Sequence, residues 1–141
     1  MSKFVSLSGK EIRIQINVAK YPLKSVEECR SKSQFHLGQL LQEIYSTSAV
    51  ILEDFVIPET KLSLDFFLPQ RKLAFEFQGT QHTKYSRFFH GDPKNFSAQL
   101  VRDDIKRQWC ELNKIKLVTL EDPQINIETL KVEIMKVIDD N

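Results

Sequence analysis

Two extended segments separated by only four residues constrain this fold more than any other feature of the sequence. Residues 62–68 and 73–78 have the alternating, aromatic-rich pattern of β-strands, and residues 49–56 form a third extended segment before them. Connections this short join antiparallel neighbours. With residues 69–72 as the loop, paired residue numbers sum to 141, and Asp65 stands directly opposite Glu76.

The hairpin predicted in this way has two chemically different faces. The apolar face carries Leu64, Phe66, Leu68, Leu73, Phe75 and Phe77. The other face carries Ser63, Asp65, Ala74, Glu76 and Gln78. Because side chains alternate along a strand, the two carboxylates share this second face.

Two carboxylates in opposed positions repel each other. Directly opposed Cβ atoms lie about 4.5–5.5 Å apart, and at roughly 5 Å with an effective dielectric constant near 20 the repulsion is on the order of 3 kcal/mol. A hard cation such as Mg²⁺ relieves it with few carboxylate ligands, completed by water and phosphate oxygens. A solvated strand face, or a register slipped by two residues, would relieve it without a cation.

The segment after the hairpin, residues 79–94, interleaves cationic with aromatic side chains. Such a mixture suits a phosphate backbone and stacked bases, and the candidate nucleic-acid contacts here are Lys84, Tyr85, Arg87 and Lys94. Phe88 and Phe89 fit a packed core equally well. His82, six residues after Glu76, is either a surface residue or a group that takes a proton from an attacking water.

The remaining elements follow from periodicity and capping patterns. Residues 11–18 alternate like a half-buried strand, and a capping box at Ser25 and Glu28 begins a helical stretch whose stronger part is 33–45. Residues 95–113 predict a helix, 115–120 a strand, and a last helix follows a cap at Asn126. The order β-α-β-β-β-α-β-α predicts one α/β domain over residues 1–141, an α+β mixed sheet with helices on both faces.

The two later helices are each expected to bury one stripe. The buried stripe of the helix over 95–113 is predicted to contain Ala98, Val101, Ile105, Trp109 and Leu112. Its polar face contains Gln99, Arg102, Asp103 and Lys106. The last helix is predicted to bury Ile127, Leu130, Ile134, Val137 and Ile138.

Composition excludes several classes of protein. Hydrophobic residues make up 41% and charged residues 28% of the chain, which is ordinary for a globular domain. Its longest apolar runs, such as 49–52, are far shorter than the roughly 20 residues of a membrane span, and the first ten residues lack the apolar region of a secretory leader. Cys29 and Cys110 are 81 positions apart, so we expect two free thiols in a reducing compartment and no zinc site.

Charge is distributed unevenly along the chain. The net charge is only +1, yet residues 80–116 contain eight basic and four acidic residues, and residues 117–141 contain two basic and six acidic ones. An anionic partner would therefore contact the segment 80–116 and leave the last helix free.

Residues 62–69, 73–82 and 102–112 resemble the PD-(D/E)XK nuclease superfamily, and in particular very-short-patch repair endonucleases and phage homing endonucleases of the EDxHD type. The resemblance covers about residues 31–121. It implies a restriction-endonuclease-like αβββαβ core, here with an extra N-terminal strand and a C-terminal helix.

The resemblance also implies roles for individual residues. Asp65 and Glu76 correspond to the acids that bind the metal ion, and His82 corresponds to the histidine that acts as general base. Asp103 corresponds to a late aspartate on the second helix. Arg102 and Arg107, on the same helix, are expected to contact nucleic acid.

Two positions depart from the family pattern. Gln78 occupies the place usually held by lysine, so that Lys106 or Arg102 would have to supply the positive charge. Gln34 occupies the place where the first helix normally has a glutamate, and Glu43 is the alternative acid on that helix. The zinc site of the repair endonucleases is missing, since two cysteines cannot build it.

The implied activity is hydrolysis of DNA phosphodiester bonds by an endonuclease that uses Mg²⁺, with Mn²⁺ as a substitute, in the cytoplasm of a bacterial or phage-infected cell. A monomer would nick one strand, and two-strand cleavage would need a homodimer. Target choice would come from loops, a dimer partner or a second protein. The alternatives are a non-catalytic nucleic-acid-binding module on the same fold, a nuclease acting on RNA or branched junctions, and a structural protein whose acids are solvated.

Asp65→Asn and His82→Ala variants should fold normally and lose Mg²⁺-dependent nicking of supercoiled plasmid DNA. The first change removes a metal ligand, and the second removes the group that prepares water. Gel analysis of nicked circles, with circular dichroism to check folding, measures both. Full activity in either variant would contradict the assignment.

Overall fold

The computed structural model describes residues 2–77 and 93–120 together with six positions between 128 and 136, and for residues 93–97 it describes the backbone alone. The strands are β1 (Ser2–Val5), β2 (Glu11–Ile14), β3 (Leu52–Val56), β4 (Ser63–Leu68), β5 (Leu73–Phe77) and β6 (Lys116–Leu120). The helices are α1 (Lys32–Tyr45) and α2 (Pro93–Leu112).

A four-stranded mixed sheet in the order β3-β4-β5-β6 forms the centre of the fold. β4 pairs antiparallel with both β3 and β5, and β6 pairs parallel with β5 after the crossover through α2. Phe66 pairs with Phe75 and Leu68 with Leu73, which confirms the predicted register. The mixed α+β class is therefore confirmed.

α1 covers one face of the sheet. Ser31 caps the helix, because its side chain accepts a hydrogen bond from the Gln34 N–H. The helix contributes Leu37, Leu40, Leu41 and Tyr45 to a core cluster with Phe66, Leu68, Leu73, Phe75, Leu120 and Ile134. The prediction that the helical stretch begins at Ser25 was wrong: Ser25 and Glu28 close only a turn, with their side chains 3.0 Å apart.

α2 and the N-terminal hairpin cover the opposite face, so that helices lie on both sides as predicted. Trp109 is fully buried and packs against Phe4 of β1 and Phe67 of β4. Asn113 fastens β1 to the end of α2, since it accepts the Val5 N–H at 2.6 Å and donates to the Val5 carbonyl at 3.0 Å. The strand predicted over 11–18 is confirmed for Glu11–Ile14, but it ends there, and it pairs in a separate sheet with β1, a strand that the sequence did not predict.

The apolar stripe predicted for α2 is only partly buried. Trp109 belongs to the core, but Val101 is 58% and Leu112 43% exposed, and Ala98 is exposed as well. In the same helix the polar residues Gln99 and Asp103 instead line a cavity that also contains Asp65 and Glu76 of the hairpin. Polar groups there need polar partners, which overrides the apolar periodicity.

The alternation predicted for β4 also breaks. Leu64 packs in the same cluster as Phe67, three positions away, and not with Phe66. The break lies beside Asp54 of β3, which has a positive φ of 54° and interrupts the β3–β4 pairing between Glu53 and Phe55. Aspartate tolerates this left-handed conformation better than most residues.

The C-terminal part of the chain agrees with the predicted last helix at the positions described. Residues 128, 131–132 and 134–136 are helical, and Ile134 is fully buried against the α1 side of the sheet. The other four residues of the predicted stripe and the Asn126 cap lie outside the described residues. Across the described part of the chain, no helix combines the length and apolarity needed to cross a membrane.

Trp109→Ala should lower the free energy of unfolding by about 3–5 kcal/mol, because it removes a fully buried indole from the aromatic cluster. Val101→Ala should change it by less than about 0.5 kcal/mol, because Val101 is mostly exposed. Urea denaturation of both variants measures the two changes. A larger loss of stability for Val101→Ala would show that Val101 is buried, as the apolar stripe predicted from the sequence requires.

Candidate metal and phosphate site

Asp65 and Glu76 form a buried carboxylate pair where the β4–β5 ladder ends. Beyond the Phe66–Phe75 pair, the Phe77 N–H donates to Asp65 Oδ2 at 2.8 Å, and the Asp65 N–H donates to Glu76 Oε2 at 3.1 Å. Each carboxylate thus bonds to the backbone of the opposite strand. Both residues are 7% exposed, so the alternative of solvated acids on an open strand face is wrong.

Lys106 of α2 adds the third charge to this pair. Its Nζ lies 2.6 Å from Glu76 Oε1, in contact with the oxygen that does not bond the backbone. Burial, and then the neighbouring charge of Asp65, raise the pKa of Glu76 to about 8, although Lys106 acts in the opposite direction. Without a cation, the pair therefore holds a proton at neutral pH.

A cavity of about 350 Å³ opens over the pair. The charged residues that line it are Arg30, Asp65, Glu76, Asp103, Asp104, Lys106 and Arg107. Its remaining described lining comes from Phe77, Gln99, Leu100, Leu117 and Thr119. A pocket with acids at its floor and both an ammonium and guanidinium groups around it has the charge pattern needed for a cation and an anionic substrate together.

Gln34 stands where the resemblance led us to expect a glutamate, and it does not line this cavity. The side chain is buried and donates through Nε2 to Glu53 Oε2 at 2.8 Å and to Asp54 Oδ1 at 3.3 Å. A glutamate at this position would add a third carboxylate to two that already adjoin. Glu53 also accepts the Lys24 N–H at 2.8 Å, so its burial is satisfied by neutral donors.

The predicted site residues fall into three groups. Asp65, Glu76, Asp103, Lys106 and Arg107 line the cavity. Those that do not line it are Arg102, which is exposed and bonds Gln99 at 2.7 Å, and Glu43, which is exposed near the end of α1. Gln78, His82, Lys84, Tyr85 and Arg87 lie outside the described residues, and for Lys94 only the helical backbone is described.

Sequence reasoning missed Arg30 and Asp54. Arg30 lines the cavity and bonds Asp54, which stands across from Asp65 in the sheet. One feature of the sequence marked this place: Glu53 and Asp54 interrupt the apolar run between residues 49 and 57. Acids inside an otherwise apolar strand require partners, but the run does not say which residues supply them.

The two cysteines have no part in this chemistry. Both are free thiols, as predicted. Burial, assisted by Glu53, raises the pKa of Cys29 to about 11, and burial with the charge of Glu76 raises that of Cys110 to about 12. Both remain neutral thiols near pH 7 and are poor nucleophiles.

The donor set of the pair suits Mg²⁺ better than a transition metal. In the described ranges, no three His, Cys, Asp or Glu side chains gather as a metal-binding group. Mg²⁺ is commonly held by one or two carboxylates and completes its shell with water and phosphate oxygens. Asp65 and Glu76 supply such a pair of hard oxygen ligands at the floor of a cavity with room for the rest.

Comparisons with protein-family models, with curated proteins and with solved structures find no match to this chain. The site is therefore interpreted from its own geometry.

The stability of the metal-free protein should fall as the pH rises from about 5 to about 8. The unfolded chain releases the Glu76 proton near the ordinary pKa of about 4.3, whereas the folded protein keeps it up to about pH 8. The stabilisation by this proton is complete below the unfolded pKa and is lost as the pH rises through the folded one.

Glu76→Gln has no such proton and is the matched control. From about pH 5 to about pH 8.5, the free energy of unfolding of this variant should rise relative to that of wild type by on the order of a few kcal/mol. Urea denaturation in EDTA across this range measures the difference. Parallel pH profiles for the two proteins would contradict the raised pKa.

Proposed function

We propose that this protein is a Mg²⁺-dependent endonuclease that hydrolyses phosphodiester bonds of DNA. The observation that carries the proposal is the buried Asp65–Glu76 pair with Lys106 Nζ 2.6 Å from Glu76, on the floor of a cavity rimmed by arginines. Two buried carboxylates on adjacent strands lower the stability of a protein, and a functional role is a reason to keep them. Active sites are where such costs are found.

The order of elements supports the same proposal. From α1 to β6 the chain runs α-β-β-β-α-β, which is the order that the resemblance to PD-(D/E)XK nucleases implies. Asp65 and Glu76 lie on the second and third strands of that series, as the resemblance requires of its metal-binding acids. The order of the elements and the positions of the two acids thus both agree with what the resemblance implies.

Asp65 and Glu76 would hold Mg²⁺, with Mn²⁺ as a substitute. When bound, the metal ion polarises a phosphoryl oxygen and offsets charge that develops in the transition state. The chain contributes a site that is buried and fixed in position, since each carboxylate is anchored to the backbone of the neighbouring strand. Rigid placement limits the reorganisation needed during the reaction.

Lys106 takes the role that Gln78 cannot fill. Its ammonium group reaches Glu76 from α2 and not from the position two residues after the second acid. Lys106 lines the cavity together with both acids. When a cation takes over the charge of Glu76, the lysine can donate to a phosphate oxygen as negative charge accumulates there. Arg102, the other candidate for this charge, bonds Gln99 and does not itself line the cavity.

Two further residues complete the proposed machinery. Asp103 lines the cavity one turn before Lys106 and accepts a hydrogen bond from Gln99 Nε2 at 3.2 Å. There it can orient polar groups that approach the acids. His82, six residues after Glu76 in the chain, is proposed as the general base that takes a proton from the attacking water.

DNA is the proposed partner because cations line the cavity and the adjoining segment of the sequence is basic. Arg107 lines the cavity, and residues 80–116 have a net charge of +4. A single active site per chain cuts one strand in each encounter. A monomer should therefore release nicked circles from plasmid DNA before linear molecules appear.

Wild-type protein should nick supercoiled plasmid in Mg²⁺ or Mn²⁺ and not in EDTA. Lys106→Met should lower kcat by about 10²–10³, the cost of removing one group that stabilises transition-state charge. Lys61→Met, an exposed lysine outside the cavity, is the matched control and should keep wild-type activity. Gel assays with matched urea denaturation curves separate lost catalysis from lost folding.

The substrate panel distinguishes the alternatives. Duplex, single-stranded, mismatched and branched DNA should be tested beside RNA, because phosphate contacts alone carry no substrate identity. Binding without cleavage in every metal would show a nucleic-acid-binding module. Cleavage of RNA alone would overturn the choice of DNA, and full activity of Lys106→Met would overturn the role of the lysine.

A further inference from the structure

Arg30, which precedes α1 in the chain, brings a further cation to the cavity. Its Nη2 donates to Asp54 Oδ1 at 3.2 Å and to Ser63 Oγ at 3.1 Å, and the residue lines the cavity that contains Asp65 and Glu76. Asp54 belongs to β3 and Ser63 to β4, so two strands fix the position of one guanidinium group.

A purely structural ion pair does not account for this arrangement. Asp54 is also bonded by the Lys24 ammonium and by the Gln34 amide, so its charge is compensated without Arg30. The Arg30 side chain remains 59% exposed. Among the described residues both of its contacts use Nη2, and a guanidinium has five N–H donors, so the donors on Nη1 and Nε are not used by these contacts at a residue that lines the cavity.

Arg107, the other arginine of the cavity, is engaged differently. Its Nη2 bonds Asp104 and its Nη1 lies 3.5 Å from Glu111, both on its own helix. Arg107 therefore has two acidic partners along α2, whereas Arg30 has one acid shared with two other donors. Arg30 is the arginine better prepared to accept an external anion.

The position of Ser63 on β4 relates the Arg30 contact to the acid pair. Ser63 lies two residues before Asp65 on β4, which is about 6.6 Å along an extended strand. A separation of this size is comparable with one nucleotide of backbone. A phosphate held by Arg30 would thus be a neighbour of the phosphate held over Asp65 and Glu76.

We propose that Arg30 binds the phosphate adjacent to the scissile one, with Asp54 and Ser63 as its positioning residues. The inference rests on the proposed function and refines it, since it names the substrate as an internal phosphodiester within a polynucleotide. A mononucleotide or a terminal phosphomonoester lacks the second phosphate and loses the contact. Bidentate recognition of phosphate is what a guanidinium does better than an ammonium.

Binding is tested separately from cleavage, with Ca²⁺ in place of Mg²⁺ and a fluorescently labelled DNA duplex. Arg30→Ala should weaken binding roughly tenfold, the equivalent of one charge-assisted contact. The slope of log K against log salt should become less negative by about 0.9, the value for one phosphate. Arg30→Lys should keep most of the slope because it keeps the charge.

Arg13→Ala is the matched control, because Arg13 is an exposed arginine of β2 that does not line the cavity. It removes the same charge and should leave affinity and slope near those of wild type. Thermal melting of each variant identifies any loss of folding. Since Arg30 is largely exposed, a folded Arg30→Ala protein is expected.

A neutral methylphosphonate placed at each backbone position in turn locates the contact. One position, next to the bond cut in Mg²⁺, should weaken binding to wild type but have no further effect on Arg30→Ala, because each change removes one side of the same contact. The proposal is overturned if Arg30→Ala binds DNA like Arg13→Ala. It is also overturned if every methylphosphonate that weakens binding to wild type weakens binding to Arg30→Ala equally.

These outcomes are distinct from failure of the proposed function. Wild-type protein that binds duplex in Ca²⁺ but cuts nothing in Mg²⁺ or Mn²⁺ would refute the nuclease and leave the Arg30 contact standing if the slope changes. Wild-type cleavage with an unchanged Arg30→Ala slope would refute only the contact. Wild-type protein that binds no nucleic acid would refute both.

Discussion

The repulsion between Asp65 and Glu76 is the constraint on which the rest of the site depends. Burial strengthens the repulsion. It is reduced by backbone N–H donors from the opposed strands, by the ammonium of Lys106, and by the proton that Glu76 retains because its pKa is raised. Each of these interactions requires a particular strand or helix in a particular position. β4 and β5 must end their ladder at this pair, and α2 must cross over it.

The position of α2 follows from this requirement. A helix that packed along its whole apolar stripe would bury Val101 and Leu112, but both are more than two-fifths exposed. Among the described side chains of α2, Trp109 and Cys110 belong to the core, while Asp103 and Lys106 line the cavity. The helix therefore buries less apolar area than its sequence pattern allows, and it contributes charged residues to the site instead. Functional sites commonly lower stability in this way.

β3 supplies a second layer of support. Asp54 occupies a left-handed backbone position opposite Asp65 and joins α1, through Gln34, to Arg30 at the edge of the cavity. The amide at position 34 fits because its neighbours Glu53 and Asp54 are already acidic. The acid pair is thus bonded by donors from β4, β5 and α2, whereas the Gln34 amide of α1 bonds Glu53 and Asp54 of β3.

The sequence by itself determined the hairpin, its register and the sharing of one face by Asp65 and Glu76, because a four-residue loop and a period of two leave few ways to pair two strands. It also determined the mixed α+β class. Tertiary structure alone decided the orientation of α2, the β1–β2 hairpin and the place of Arg30. Those features depend on contacts between residues distant in the chain, where the demand of buried charge for partners outweighs local periodicity.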